Sequence, residues 1–377
     1  MPQTRPVWAE INLNSIIHNY QEVRRLVGPQ VKIMAVVKAN AYGHGVLEVA
    51  KTLGKAGADR FAVGLLNEAV QLREGGVTKP LMILGWTPVD DYPRALTHHI
   101  ILTIFSLQEA EELSRISLSM GQKACVHLKL DTGMGRIGFR PDAAGLEQIS
   151  KIVTLPGLEV EGIFTHLAKA DEQDKGYTIL QLRLFEGFVR QVRKKTGFTF
   201  QLRHAANSAA VIDHPEAYFE MVRPGIMLYG LKPSPEVHLE KVDLRQVMAL
   251  RANVAFVKEV PENTAISYGG IFVTSGNSRI ATLPLGYADG YSRLLSGRAE
   301  VICHGQRAPV IGRVCMDQLM FDASCLRQQV EQGDLVTLIG RAGEQFISVD
   351  ELADQMGTVN YEITCMLSAR VPRIYLK

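Results

Sequence analysis

Several apolar, often β-branched runs in this 377-residue chain end on residues able to do chemistry. Lys38 closes the first, in Ala35-Val-Val-Lys38-Ala-Asn40-Ala-Tyr42-Gly-His-Gly45, and Trp86, Asp131, His166, Asn207-Ser208 and Arg223-Pro-Gly225 follow later ones. A lysine at the end of an apolar strand is partly desolvated, which lowers its pKa and frees its amine to condense with an aldehyde. Taken singly, each residue also has an ordinary reading. Lys38 is then a strand-end amine reaching water, Ser208 a helix cap, and Arg223 a surface charge before a Pro-Gly turn.

Such placement asks for a scaffold that brings many strand ends to one face. Between about residues 30 and 225 the runs are Lys32 to Val37, Phe61 to Gly64, Leu81 to Leu84, Ile100 to Phe105, Ala124 to Leu130, Leu158 to Thr165, Phe200 to Arg203 and Phe219 to Val222. Amphipathic stretches such as Leu47 to Lys55, Leu107 to Ser119 and Thr178 to Lys195 lie between them, the pattern of repeated βα units. A doubly wound sheet alternates in the same way. The count of eight selects a (β/α)8 TIM barrel, whose active face is formed by the loops after the strands.

Beyond Lys232-Pro-Ser-Pro235, which reads as a linker, short strands separated by turn residues predict a mainly-β domain: Val247 to Val260, Arg279 to Pro284, Arg298 to Cys303 and Asp334 to Ile339. One helix is expected there, from Ser348 to Met356, capped by Ser348 and ended by Gly357. The expected division is a barrel over residues 1–240 and a β domain over 241–377, with pairing of the first residues into the second domain as an alternative.

Composition narrows the function classes. With 46% hydrophobic and 21% charged residues the chain is an ordinary globular protein, and a net charge of +2 suggests no nucleic acid partner. Five cysteines without a Cys-x-x-Cys pair signal neither a disulfide framework nor a zinc site, so no metal is expected. No apolar run approaches the roughly 18 residues of a membrane span, and the opening residues do not read as a signal peptide, so a cytoplasmic protein without membrane contact is expected. Gly133-Met-Gly135-Arg-Ile-Gly138 fits a dinucleotide fingerprint, but Pro141 would break the helix that such a motif needs under way; that helix is expected to start at Pro141 instead.

Val37-Lys38-Ala39-Asn40-Ala41-Tyr42-Gly43-His44-Gly45 resembles the cofactor-lysine motif of bacterial alanine racemases. Leu130 to Gly138, His204-Ala-Ala-Asn-Ser208, Arg223-Pro-Gly225-Ile226, Ser267-Tyr268-Gly-Gly270, Gly286-Tyr-Ala-Asp-Gly290 and Gly312-Arg-Val-Cys-Met-Asp317 are similar to further segments of that family, in family order. The resemblance implies pyridoxal 5'-phosphate held covalently on Lys38. Its phosphate would be bound by Ser208, the amides of Gly225 and Ile226, and the hydroxyls of Tyr42 and Tyr361. Arg223 would face the ring nitrogen. An arginine can only donate there, so the ring stays a poor electron sink and suits an enzyme that moves one proton and nothing else.

Racemisation needs one proton to leave one face of the α-carbon and another to arrive on the opposite face, which two bases achieve most directly. The resemblance makes Lys38 the base for the D-enantiomer and Tyr268 the base for the L-enantiomer, with His166 bonded to the tyrosine and Arg223 to His166. Arg136 and the partner chain's Met316 backbone would receive the substrate carboxylate. Lys129 matches a position carbamylated in many members; the alternative is an interior lysine paired with Asp131. Cys315, Asp317, Arg293 and Arg313 resemble residues of the family's entry channel. A second base from another subunit implies a head-to-tail homodimer. The implied reaction interconverts L- and D-alanine, for peptidoglycan supply or alanine breakdown. The alternatives are a broad-specificity or serine-preferring racemase, a barrel-type decarboxylase with an acid at the ring nitrogen, and a non-catalytic carrier of the cofactor. Tyr361, by its bulk, favours alanine, and the residues after 240 count against a carrier.

Overall fold

The computed structural model describes residues 6–377, and the opening residues read above for targeting lie outside this range apart from Pro6. The chain folds as two compact units. One comprises Ile16–Ala41 and Val46–Leu244; the other takes the chain up to Ser15, Tyr42–Gly45 and Arg245–Lys377.

The first unit contains eight parallel strands, each in place of one of the apolar runs: Lys32–Val36, Arg60–Val63, Leu81–Ile83, Ile100–Ile104, Ala124–Lys129, Leu158–Phe164, Leu202–His204 and Met221–Val222. The first seven pair in succession along the chain, and Met221–Val222 pairs with Lys32–Val36 rather than with Leu202–His204, giving a nearly closed barrel. The apolar runs follow from burial on both faces, as in Ile100–Ile104, where every residue is buried. Each such aliphatic side chain stabilises the fold by about 1.5–3 kcal/mol.

Helices fill the connections. Leu107–Ser119 is capped by Ser106, whose hydroxyl accepts from the Glu109 amide at 3.2 Å. Ala143–Ile152 is capped by Asp142, so this helix begins two residues after Pro141 rather than at it; the Asp142 carboxylate supplies the acceptor that the early amides need.

The second unit is built on a mainly antiparallel sheet in the order Phe256–Val260, Ser278–Leu283, Leu319–Asp322, Gln306–Ile311, Glu300–Cys303, Leu335–Ala342, Met248–Asn253, Val7–Asn12 and Arg373–Leu376. The run expected from Val247 to Val260 is two strands, because its halves have different neighbours. Met248–Asn253 pairs with Val7–Asn12 and Leu335–Ala342, and Phe256–Val260 pairs with Ser278–Leu283. Helix Val349–Met356 has its Ser348 cap and left-handed Gly357 end as read from the sequence. A second helix, Asn360–Met366, went unforeseen: it is short and Val359 gives it no side-chain cap.

Candidate active site

The strand ends of the first unit converge on Arg223. Its Nη2 donates to the carbonyls of Thr165 at 2.8 Å and Ala205 at 3.0 Å, and its Nη1 to His204 Nδ1 at 2.8 Å. The guanidinium sits 5.2 Å from the centroid of the Phe164 ring. Burial, then the charge of Arg136, pull its pKa down to about 9, still protonated at neutral pH. The expected bond to His166 is long, 3.5 Å to Nδ1, so His204 is the stronger partner and one the sequence reading did not assign.

His166 is buried and feels the charge of several cations. Burial first, then Arg223, Arg136, Lys129 and Lys38, drive its pKa well below the ordinary imidazole value, so it is neutral. Lys129 donates to the Leu130 carbonyl at 2.9 Å, and burial followed by Arg223 lowers its amine to about 7. Asp131 acts on this amine through its charge, while its Oδ1 accepts from the amides of Gly133, Met134 and Gly135 at 3.0, 2.9 and 3.0 Å. Those bonds shape the loop that carries the exposed Arg136. Gly133, Gly135 and Gly138 have φ of 139°, 71° and 134°, so the motif that mimics a dinucleotide fingerprint is a set of turns.

Lys38 opens an unusual segment. Ala39, Asn40, Ala41 and Tyr42 all have φ between 51° and 54°, one turn of left-handed helix. Each non-glycine residue there costs about 1–2 kcal/mol. Local bonds hold it: Glu68 Oε1 accepts from the Ala39 amide at 2.5 Å and Asn40 Oδ1 from the Val46 amide at 2.9 Å. Glu68 was also unforeseen; its Oε2 takes the Gly64 and Leu65 amides, so one carboxylate ties the ends of two barrel strands.

Ser208, Gly225 and Ile226, three of the residues read as phosphate ligands, lie in this unit, and Tyr42 and Tyr361 in the other. Asn207, not Ser208, caps helix Ser208–Asp213, accepting from Ala210 N at 3.0 Å. Ser208 Oγ instead accepts from Gly225 N at 2.9 Å, leaving its own proton for an anion. Ile226 opens a 3-10 turn, Ile226–Tyr229, where first amides lack an intrahelical acceptor. An amine, a hydroxyl, the amides at the start of the Ile226–Tyr229 turn and a buried donor-only cation fit a phosphate-bearing aldehyde with an aromatic nitrogen.

Within the second unit the Tyr42 and Tyr361 rings lie 6.1 Å apart, and burial, then Tyr361, raise the Tyr42 pKa, so its hydroxyl remains a donor. Tyr268 stands on a loop locked by Ser267 Oγ donating to the Arg313 carbonyl at 2.7 Å, and the side chain is 71% exposed. Met316 is also exposed, and its carbonyl accepts from Ala288 N at 3.0 Å, so three of the motifs share one corner. Cys303, His304 and Asp334 gather as possible metal ligands, but His304 Nε2 bonds Asp334 at 2.8 Å and burial, then Asp334, push the thiol up to about 12.

A barrel with a donor-lined anion cradle and a strand-end lysine at its catalytic mouth defines a cofactor-dependent barrel enzyme. Residues 11–233 match the family model for the alanine racemase N-terminal domain, and residues 247–375 that for its C-terminal domain. An alanine racemase of Methanococcus maripaludis is 48% identical over 99% of both chains, and one of Clostridium perfringens is 50% identical over 99% of this chain and 96% of its own. An alanine racemase structure from Clostridium difficile superposes with a TM-score of 0.96 at 39% identity, covering 99% of this chain and 96% of that one. One from Bacillus anthracis, with bound L-Ala-P, gives 0.94 at 39% identity over 100% and 96%. The chain belongs to the alanine racemase family, whose members are isomerases that use pyridoxal 5'-phosphate.

Proposed function

We propose that this chain interconverts L- and D-alanine with pyridoxal 5'-phosphate, using Lys38 and Tyr268 as the two bases. Buried Arg223 carries the reading: a cation that only donates, placed among the strand-end residues, supports a ring nitrogen kept unprotonated. The cofactor, when bound, supplies electron withdrawal at the substrate α-carbon. Lys38 holds it and moves the proton on one face. Tyr268 moves the proton on the other. Arg223 orients the ring by donation. Ser208, Gly225, Ile226, Tyr42 and Tyr361 hold the phosphate, and Arg136 with Met316 receives the substrate carboxylate.

An amine lowered to about 7 has a large neutral fraction at neutral pH, which supports carbamylation of Lys129. The exposure of Tyr268 and Met316 supports a homodimer in which each β domain completes its partner's site. A cytoplasmic location belongs to the same proposal, and cell fractionation tests it.

Chiral chromatography of purified protein with a panel of amino acids, with and without added cofactor, tests the assignment. Alanine should turn over fastest, and Lys38→Ala should lose both the absorbance of bound cofactor and turnover. Preferred turnover of serine, or a Lys38→Ala variant that keeps activity, would overturn it.

A further inference from the structure

Arg223 is the first member of a chain of polar side chains inside the barrel. His204 Nε2 lies 2.7 Å from His127 Nδ1, and His127 Nε2 lies 2.9 Å from Glu161 Oε2. Arg60 closes the chain, donating to both carboxylate oxygens of Glu161 at 2.7 and 2.5 Å.

The chemistry of the first donor sets the direction of every later bond. A guanidinium has no acceptor, so His204 Nδ1 must be bare. A neutral His204 then carries its proton on Nε2 and donates to a bare His127 Nδ1, which leaves His127 Nε2 to donate to Glu161. Both rings are fully buried, and burial lowers both pKa values, keeping the imidazoles neutral. Burial works against the Glu161 charge, but the bonds from His127 and Arg60 outweigh it and hold the carboxyl at about 2.

The backbone is shaped for this arrangement. Val126 pairs with Val160 but His127 with Gly162, so Glu161 is the extra residue of a β-bulge, a device that re-aims a side chain. A Cβ on Gly162 would lie 2.7 Å from His127 Cε1 and Nδ1, so glycine leaves room for the ring. Phe164 stacks on His204, centroids 4.8 Å apart and planes within 3°, beneath the Arg223 guanidinium. Arg60 and Glu161 also line a cavity of about 420 Å³ with Lys32, Gln201 and Glu220, at the mouth where strands begin and opposite Lys38.

We propose that His204, His127 and Glu161 are positioning residues for the racemase reaction: anchored at the opposite mouth, they hold Arg223 in one orientation and balance its buried charge. None of the three needs to touch the reacting atoms. The inference rests on Arg223 as the ring-nitrogen partner.

The holoenzyme with 15N-labelled histidine provides the first readout. NMR should show both His127 and His204 as Nε2–H tautomers; an Nδ1–H form of either overturns the proposal. Glu161→Gln keeps an acceptor for His127 but removes the charge. It should shift the absorbance of bound cofactor and lower kcat roughly ten-fold with KM within about two-fold, the range of outer-shell effects. Glu161→Asp, with charge retained, should stay within about three-fold of wild type. A wild-type spectrum and kcat in Glu161→Gln, or an equal loss in Glu161→Asp, overturns the proposal, and the wild-type NMR result stands even where a variant fails to fold. Wild-type protein with neither turnover nor bound-cofactor absorbance would instead sink the racemase reading itself.

Discussion

Lys38 and Tyr268 face opposite demands. Lys38, itself exposed, follows a buried strand, whereas Tyr268, also exposed, stands on a locked turn, so each reaches its proposed position by a different route. Two bases on opposite faces predict an asymmetric defect on removal of one. Tyr268→Ala should keep bound cofactor and lose L-to-D conversion by roughly a hundred-fold or more, the range for a general base, while α-proton exchange of D-alanine persists. Equal loss of exchange from both enantiomers, followed in deuterated water, would contradict the assignment.

At the scale of the element, the left-handed turn after Lys38 trades stability for placement. Glycine adopts a positive φ without steric penalty. Ala39→Gly should therefore raise stability by up to about 1 kcal/mol, net of the added entropy of the unfolded chain, while loosening the backbone beside Lys38 and lowering kcat. Differential scanning calorimetry paired with steady-state kinetics checks this; a lower melting temperature would show that the turn is not strained at that residue. The bulge at Glu161 is a second such device, where one added residue aims a carboxylate inward.

Across the whole molecule, buried ionisable groups set the response to acid. His127, His166 and His204 are held below the ordinary imidazole value by burial. Below about 6.5 the unfolded chain therefore binds more protons than the folded one, so stability is full above that pH and falls beneath it, by at most about 1.4 kcal/mol per pH unit per histidine. Glu161 and Asp213 add to the loss in the same direction. Burial opposes their charge, but their ion-pair and hydrogen-bond partners hold both at about 2, so their contribution is present above about 4 and disappears as pH falls further. Thermal midpoints should drop on acidification from about pH 7 to about pH 5; a flat profile would contradict the neutral, buried imidazoles. The shared-site dimer makes its own prediction. Mixing the separately inactive Lys38→Ala and Tyr268→Ala proteins after subunit exchange should restore up to about a quarter of wild-type turnover, because half the dimers are hybrids with one intact site of two. Absence of recovery, with hybrids shown by mass spectrometry, would place both bases in one chain.

Residue order alone determined the eight strands, their helices and the motif residues at the strand ends, because parallel strands buried on both faces must be near-continuous apolar runs and because barrel chemistry sits where those runs stop. Helix Val349–Met356 was legible for the same local reason, a serine cap at one end and a glycine at the other. Only tertiary structure decided what each polar group touches. The His204 partner of His127 is 77 residues away, Arg60 meets Glu161 across 101, and the break after Asn253 exists because two strands find different neighbours. Periodicity reports which side of an element is buried, but a hydrogen bond between distant strands depends on barrel register, and a single bulged residue is enough to change it.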